Sequence, residues 1–227
     1  MARLLVLSLL AFAPALAQFE GVVESKNVTT NETGAPLQYP MTMWVKGEMV
    51  KIAIPAFGDN PGTTMIYRRD RKVMWTLLDS EKSYFEVLLN ADRELGSDQP
   101  SSNESRPALK RTKKTRTILG YPCDQFVVRE EDVETEFWGT KKLAPLASTI
   151  NHVFAGNTEE GGKGWEDEIT KMGYFPLVAK TRLEGKIVES SEVTRIEQRK
   201  LPAELFEVPP GYRKQGVKDV LKDGTKN

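Results

Sequence analysis

The sequence predicts a mainly β protein of the α+β class: a curved antiparallel sheet forming an open half-barrel, with one or two helices against its concave side. Three observations carry this expectation. From Phe19 to Leu89, short segments rich in β-branched, aromatic and Met residues follow one another between turn formers. Several of these segments carry apolar groups on both faces, where an ordinary antiparallel sheet alternates apolar with polar. One stretch, 143–154, has helical rather than strand periodicity.

The strands are read in order. Phe19 to Ser25 opens the meander, and Met41 to Lys46 follows a loop containing Pro and Gly. Gly47-Glu48 turns the chain into Met49 to Ile54, which Pro55 ends. Thr64 to Arg69, a turn at Asp70-Arg71, Val73 to Leu78, a turn at 79–82 and Tyr84 to Leu88 complete the first half. Residues 90–108 are too polar to bury and read as a mobile loop. Strands resume at Thr112 to Leu119, Gln125 to Arg129 and Val133 to Trp138.

Leu143, Leu146, Ala147, Ile150 and Phe154 then recur at helical spacing, Pro145 suits a first turn and Gly156 lies just past the end. A short helical turn within 165–172, a hairpin from Phe175 to Glu197 turning at 184–186, and a packed Leu205 to Pro210 segment follow. Residues 18–212 are expected to form one domain, and 213–227 a flexible tail.

Both faces are apolar where Met41, Met43 and Val45 oppose Trp44, and where Val73, Trp75 and Leu77 oppose Met74 and Leu78. A sheet bent round a helix buries one face fully and the other in part, which fits this pattern.

Met1 to Ala17 reads as a secretory signal peptide. Arg3 supplies the basic start, Leu4 to Phe12 the apolar run and Ala15-Leu16-Ala17 the small-residue ending, with cleavage expected between Ala17 and Gln18. The apolar run falls short of the roughly 20 residues that span a bilayer, so an integral membrane protein is not expected. The product is expected to be exported, periplasmic or secreted.

The chain has 32 basic and 32 acidic residues; removing 1–17 takes away Arg3 and no acid, leaving 31 and 32. That balance argues against a nucleic-acid partner, which requires a net basic face. The densest basic stretch, Lys110 to Arg116, alternates with Thr and suits a solvated strand. Cys123 is the only cysteine, so no intramolecular disulfide forms and packing must supply stability. Its position at a strand start suits a small buried side chain.

Candidate chemistry is sparse. His152 is the only histidine and sits near the end of the expected helix, so a Ser-His-Asp site has little to build on and a hydrolase is the third reading. With Cys123 it provides too few ligands for a structural zinc. The acids Glu159, Glu160, Glu166, Asp167 and Glu168 match no calcium loop, and Gly156 with Gly161 lacks the lysine of a phosphate loop, because Gly162 stands there. No catalytic residue, metal or cofactor is expected.

Three segments carry a family resemblance: Lys72 to Tyr84, Gly120 to Val128, and Leu201-Pro202-Ala203-Glu204-Leu205-Phe206-Glu207-Val208-Pro209-Pro210-Gly211-Tyr212. In this order they resemble an exported bacterial family of unassigned function, whose architecture looks like that of the LolA, LolB and LppX lipoprotein carriers. The resemblance spans nearly all of the chain after residue 17. It implies a half-barrel with helices on its concave side and no transferable catalytic residue. Members often carry a lipid-anchor Cys, which this sequence lacks.

The remaining candidate surface is apolar. Met43, Val45, Met65, Tyr67, Trp75, Leu77, Phe126 and Phe137 are expected to line a cavity for a lipid or another lipophilic molecule. The loop at 90–108 would serve as its lid. The alternative is a structural or interaction module that binds a protein partner of the cell envelope, its interior filled by its own side chains.

Overall fold

The computed structural model describes residues 18–31, 33–89, 108–154, 168–169 and 171–216. Six strands form the first half of the sheet: β1 (Glu20–Thr30), β2 (Pro36–Lys46), β3 (Met49–Ile54), β4 (Thr63–Arg68), β5 (Val73–Leu78) and β6 (Ser83–Leu88). The second half contains β7 (Lys110–Ile118), β8 (Tyr121–Glu130), β9 (Val133–Thr140), helix α1 (Ala144–Phe154), β10 (Phe175–Leu183) and β11 (Lys186–Gln198). A two-residue strand, β12 (Arg213–Lys214), comes last.

All twelve strands belong to one open sheet, in the order β12-β6-β5-β4-β3-β2-β1-β11-β10-β9-β8-β7. Each half is a meander of sequential antiparallel pairs, and the halves join where β1 pairs with β11. Among the described strands only the β12–β6 pair is parallel. At the seam the backbones approach so closely that a Cβ on Gly21 would lie 2.2 Å from the Glu197 carbonyl oxygen.

Curvature follows from the position of α1, which touches both β3 and β10. These strands are four steps apart, about 19 Å along a flat sheet, whereas eleven helical residues extend about 16 Å. The sheet bends round the helix, and the expected curved half-barrel is observed. A bulge sharpens the bend: Pro176 pairs with Gly139 and Val178 with Trp138, leaving Leu177 as the extra residue. Leu177 and Val178 are adjacent in sequence yet both join the buried cluster beneath α1.

Several strands run beyond their expected ends, the furthest being β1, which continues to Thr30, and β2, which begins at Pro36; β8 likewise begins at Tyr121. Pro36 and Pro40 obscure β2 in the sequence. They are tolerated there because β3 pairs only with Thr42 to Lys46, so this stretch of β2 has one neighbour and a missing N–H need not interrupt a second ladder.

The C-terminal segment crosses the face of the sheet away from α1. The Arg199 N–H donates to the Glu20 carbonyl, Phe206 is fully buried, and the Arg213 and Gln215 N–H groups donate to the carbonyls of Lys82 and Tyr84. Within the expected tail, residues 213–215 extend the sheet edge through backbone hydrogen bonds to β6 and its preceding turn. The proposed signal peptide, nearly all of the 90–108 loop, and residues 217–227 lie outside the described residues. So do four of the five loop acids, leaving Glu168, and the side chain of His152.

Candidate functional site

Strand alternation divides the apolar side chains into three clusters. The largest lies under α1, where Leu143, Leu146, Ala147 and Val153 meet Val23, Met43, Val45, Val50, Ile52 and Tyr67. Met41, Ile54, Met65, Met74 and Ile150 pack against its margin and remain partly exposed. Four methionines, Met41, Met43, Met65 and Met74, therefore converge from β2, β4 and β5. Unbranched thioethers fill irregular spaces and adapt to different shapes. The Tyr67 hydroxyl donates to the Met65 sulfur at 3.8 Å, and burial raises its pKa.

The second cluster lies under the C-terminal segment. Val22, Ile66, Trp75 and Leu77 pack on Leu201 and Phe206. Trp75 Nε1 donates to Glu86 Oε2 at 3.0 Å, so its polar edge has a carboxylate partner on β6. In the third cluster, Phe126 and Phe137 stack with their ring centroids 5.0 Å apart, and Ile169 and Tyr174 cover them.

The eight expected cavity residues therefore do not line one surface. Met43, Val45, Met65 and Tyr67 meet on the helix side. Trp75 and Leu77 face the C-terminal segment, while Phe126 and Phe137 face Ile169 and Tyr174. Register explains the separation: Tyr67 pairs with Met74, which turns Trp75 to the opposite face. Phe126 pairs with Phe137, opposite in facing to their neighbours Gln125 and Trp138. Met41, Met74, Ile54 and Ile150 join the helix-side group; their apolar character is visible in the sequence, but their convergence depends on register and helix placement.

Cys123 is 1% exposed in the helix-side cluster, and burial raises its thiol pKa. Nearby, the Arg116 guanidinium lies over the Trp138 ring, 4.1 Å from its centroid. Along the same faces of β9 and β10, Trp138 Nε1 donates to Glu136 at 2.9 Å, and Arg182 donates to the other Glu136 oxygen at 3.4 Å. Ile118, Tyr121 and Ile196 continue the margin toward β7, β8 and β11, while Met41, Ile54, Met65 and Met74 supply it from β2–β5.

Other polar groups support local structure. Tyr174 donates to Asp124 at 2.6 Å, and Arg111 donates to the same carboxylate oxygen at 2.7 Å. Burial and the Asp124 bond push the Tyr174 pKa up to about 12. Burial opposes ionisation of Asp124, but these two donors win and lower its pKa. An open cleft of about 570 Å³ near the start of β1 is lined in part by Glu20, Lys46, Glu48, Asp70 and Lys200. Glu20 there accepts from the Leu201 N–H and Lys200, which helps attach the C-terminal segment.

Among the described residues no group of three or more His, Cys, Asp and Glu side chains is placed to hold a metal. No described helix is long and apolar enough to cross a membrane.

The fold and its apolar face define an open, helix-bearing β half-barrel. Residues 19–212 match the family described as Domain of unknown function (DUF4412), and the chain belongs to that family. No curated protein matches it. Similar solved structures include an uncharacterized conserved protein from Thermus thermophilus, at 10% identity and TM-score 0.48, covering 86% of this chain and 90% of that one. PNGF-II is similar at 13% identity and TM-score 0.41, over 91% of this chain and 33% of that one. A LolA superfamily protein from Nitrosomonas europaea is similar at 11% identity and TM-score 0.37, over 84% and 90%.

Proposed function

We propose that this protein holds a lipid or another lipophilic molecule against the concave face, between α1 and strands β2–β5, without covalent chemistry. The supporting observation is the convergence of Met41, Met43, Met65 and Met74 beside α1, with three of the four still partly exposed. Burying apolar ligand surface there contributes about 25 cal/mol per Å² before the costs of association. Residues 18–212 act as one binding unit, exported after removal of residues 1–17 and working in the cell envelope.

The test is native mass spectrometry of the mature protein purified gently from its own host, followed by extraction and identification of any released molecule. A defined lipophilic adduct is expected. Met65→Glu and Met74→Glu should each lose it while retaining the wild-type far-UV spectrum. A bare polypeptide that also fails to take up envelope lipids when challenged would overturn the proposal and leave an interaction module with a self-filled interior.

A further inference from the structure

We infer that the β7 edge is a docking surface for an anionic lipid bilayer. Among the described strands β7 ends the sheet, whereas the edge at β6 is capped by β12. Lys110, Arg111, Lys113, Lys114 and Arg116 are all exposed along it. Arg111 pairs with Asp124. Lys110, Lys113 and Lys114 have no carboxylate partner among the described residues. Exposed Lys141, whose ammonium lies 5.0 Å from the Tyr174 ring centroid, adds charge near Arg111, which faces the same ring at 6.0 Å.

The edge is shaped against strand addition. Arg111 pairs with Phe126 and Thr115 with Asp124, so residues 112–114 occupy the space opposite Gln125 alone. The Thr112 hydroxyl fastens this bulge by donating to Gln125 at 2.8 Å and accepting from the Lys114 N–H at 3.1 Å. A bulge and a row of lysines both obstruct pairing with another strand. The other exposed residues of the strand, Thr115 and Thr117, lack the aromatic anchors that dominate protein hot spots. An anionic headgroup layer requires no such anchor. The charges from Lys110 to Arg116 run along about 20 Å of strand, and each Lys or Arg near such a surface strengthens binding about fivefold.

This inference rests on the edge strand and is independent of what the concave face holds. Flotation of the mature protein with vesicles tests it, comparing phosphatidylcholine containing about 30% phosphatidylglycerol, the charge density of a strongly anionic leaflet, with phosphatidylcholine alone. Binding should favour the anionic vesicles at least about tenfold at roughly 50 mM NaCl and weaken severalfold at roughly 300 mM through screening. The combined substitution Lys110→Gln, Lys113→Gln and Lys114→Gln should reduce it about 100-fold. A control with Lys26, Lys72 and Lys186 changed to Gln should retain binding within a fewfold.

Lack of anionic preference overturns the inference, as does undiminished binding of the β7 variant or an equal loss in the control. If the β7 variant has an altered circular dichroism spectrum, Lys113→Gln and Lys114→Gln are tested singly in folded protein. Each should cost about fivefold, and no loss in either also overturns it.

Discussion

The Arg68 guanidinium on β4 holds the carboxylate of Glu207, 139 residues further along the chain, and also donates to the Phe206 carbonyl at 3.3 Å. The Arg68 side chain is only 6% exposed, and Asp70 accepts a second pair of hydrogen bonds from it. This arrangement fastens the C-terminal segment where Phe206 enters its apolar cluster.

Arg68→Ala removes these interactions and leaves the buried Phe206 carbonyl with one donor fewer. Glu207 retains Arg71 at 2.9 Å. The expected loss is about 2–3 kcal/mol, toward the lower end for a broken buried pair because the carboxylates remain partly hydrated. Equilibrium urea denaturation checks it; an unchanged midpoint removes Arg68 as a clasp.

Glu20 gives the same segment a pH dependence. The Leu201 N–H is the chief cause of its depressed pKa, followed by Lys200 with a further contribution from Lys46, and together these outweigh burial and hold it at about 2. Its ordinary value is 4.5. The contribution to stability is therefore full above about 4.5 and fades as pH falls toward about 2. In melting scans from about pH 6 down to about pH 2, Glu20→Gln should show a shallower acid decline than wild type. Parallel curves would contradict the assignment.

Gly21 lies at the junction of the two halves. Gly21→Ala forces a methyl group into the Glu197 backbone, where no side-chain rotation relieves the contact. A loss of at least about 2 kcal/mol is expected, in the range of overpacking. Thermal unfolding measures it, and wild-type stability would mean that the β1–β11 seam yields easily.

Cys123 should resist alkylation in the folded protein, because its thiol is buried and its ionisation is suppressed. Maleimide labelling should become fast only under denaturing conditions. Rapid labelling of native protein would reveal opening of the helix-side cluster.

Much of the fold is legible because strand propensity and turn chemistry agree. Met49–Ile54, Val73–Leu78 and Phe175–Leu183 match their expected bounds. The 143–154 periodicity is that of α1. The site is less legible. Met65 and Trp75 have similar apolar credentials, but their opposite facings depend on the pairing of Tyr67 with Met74, and local periodicity contains no record of that register. The bulge at Leu177 likewise places two successive residues in one cluster, contrary to simple alternation. Arg68 offers no local sign of its partner because Glu207 arrives only at the far end of the chain.

The seam between β1 and β11 also orders events in time. The Thr194 hydroxyl bonds to the Glu24 carbonyl across a separation of 170 residues, and β1 has no second neighbour until β11 has been made. A nascent chain can build the first meander, yet its opening strand stays half paired through most of synthesis. Such distant closure slows folding. The architecture thus lengthens the interval in which one edge of the opening strand is left without a neighbour.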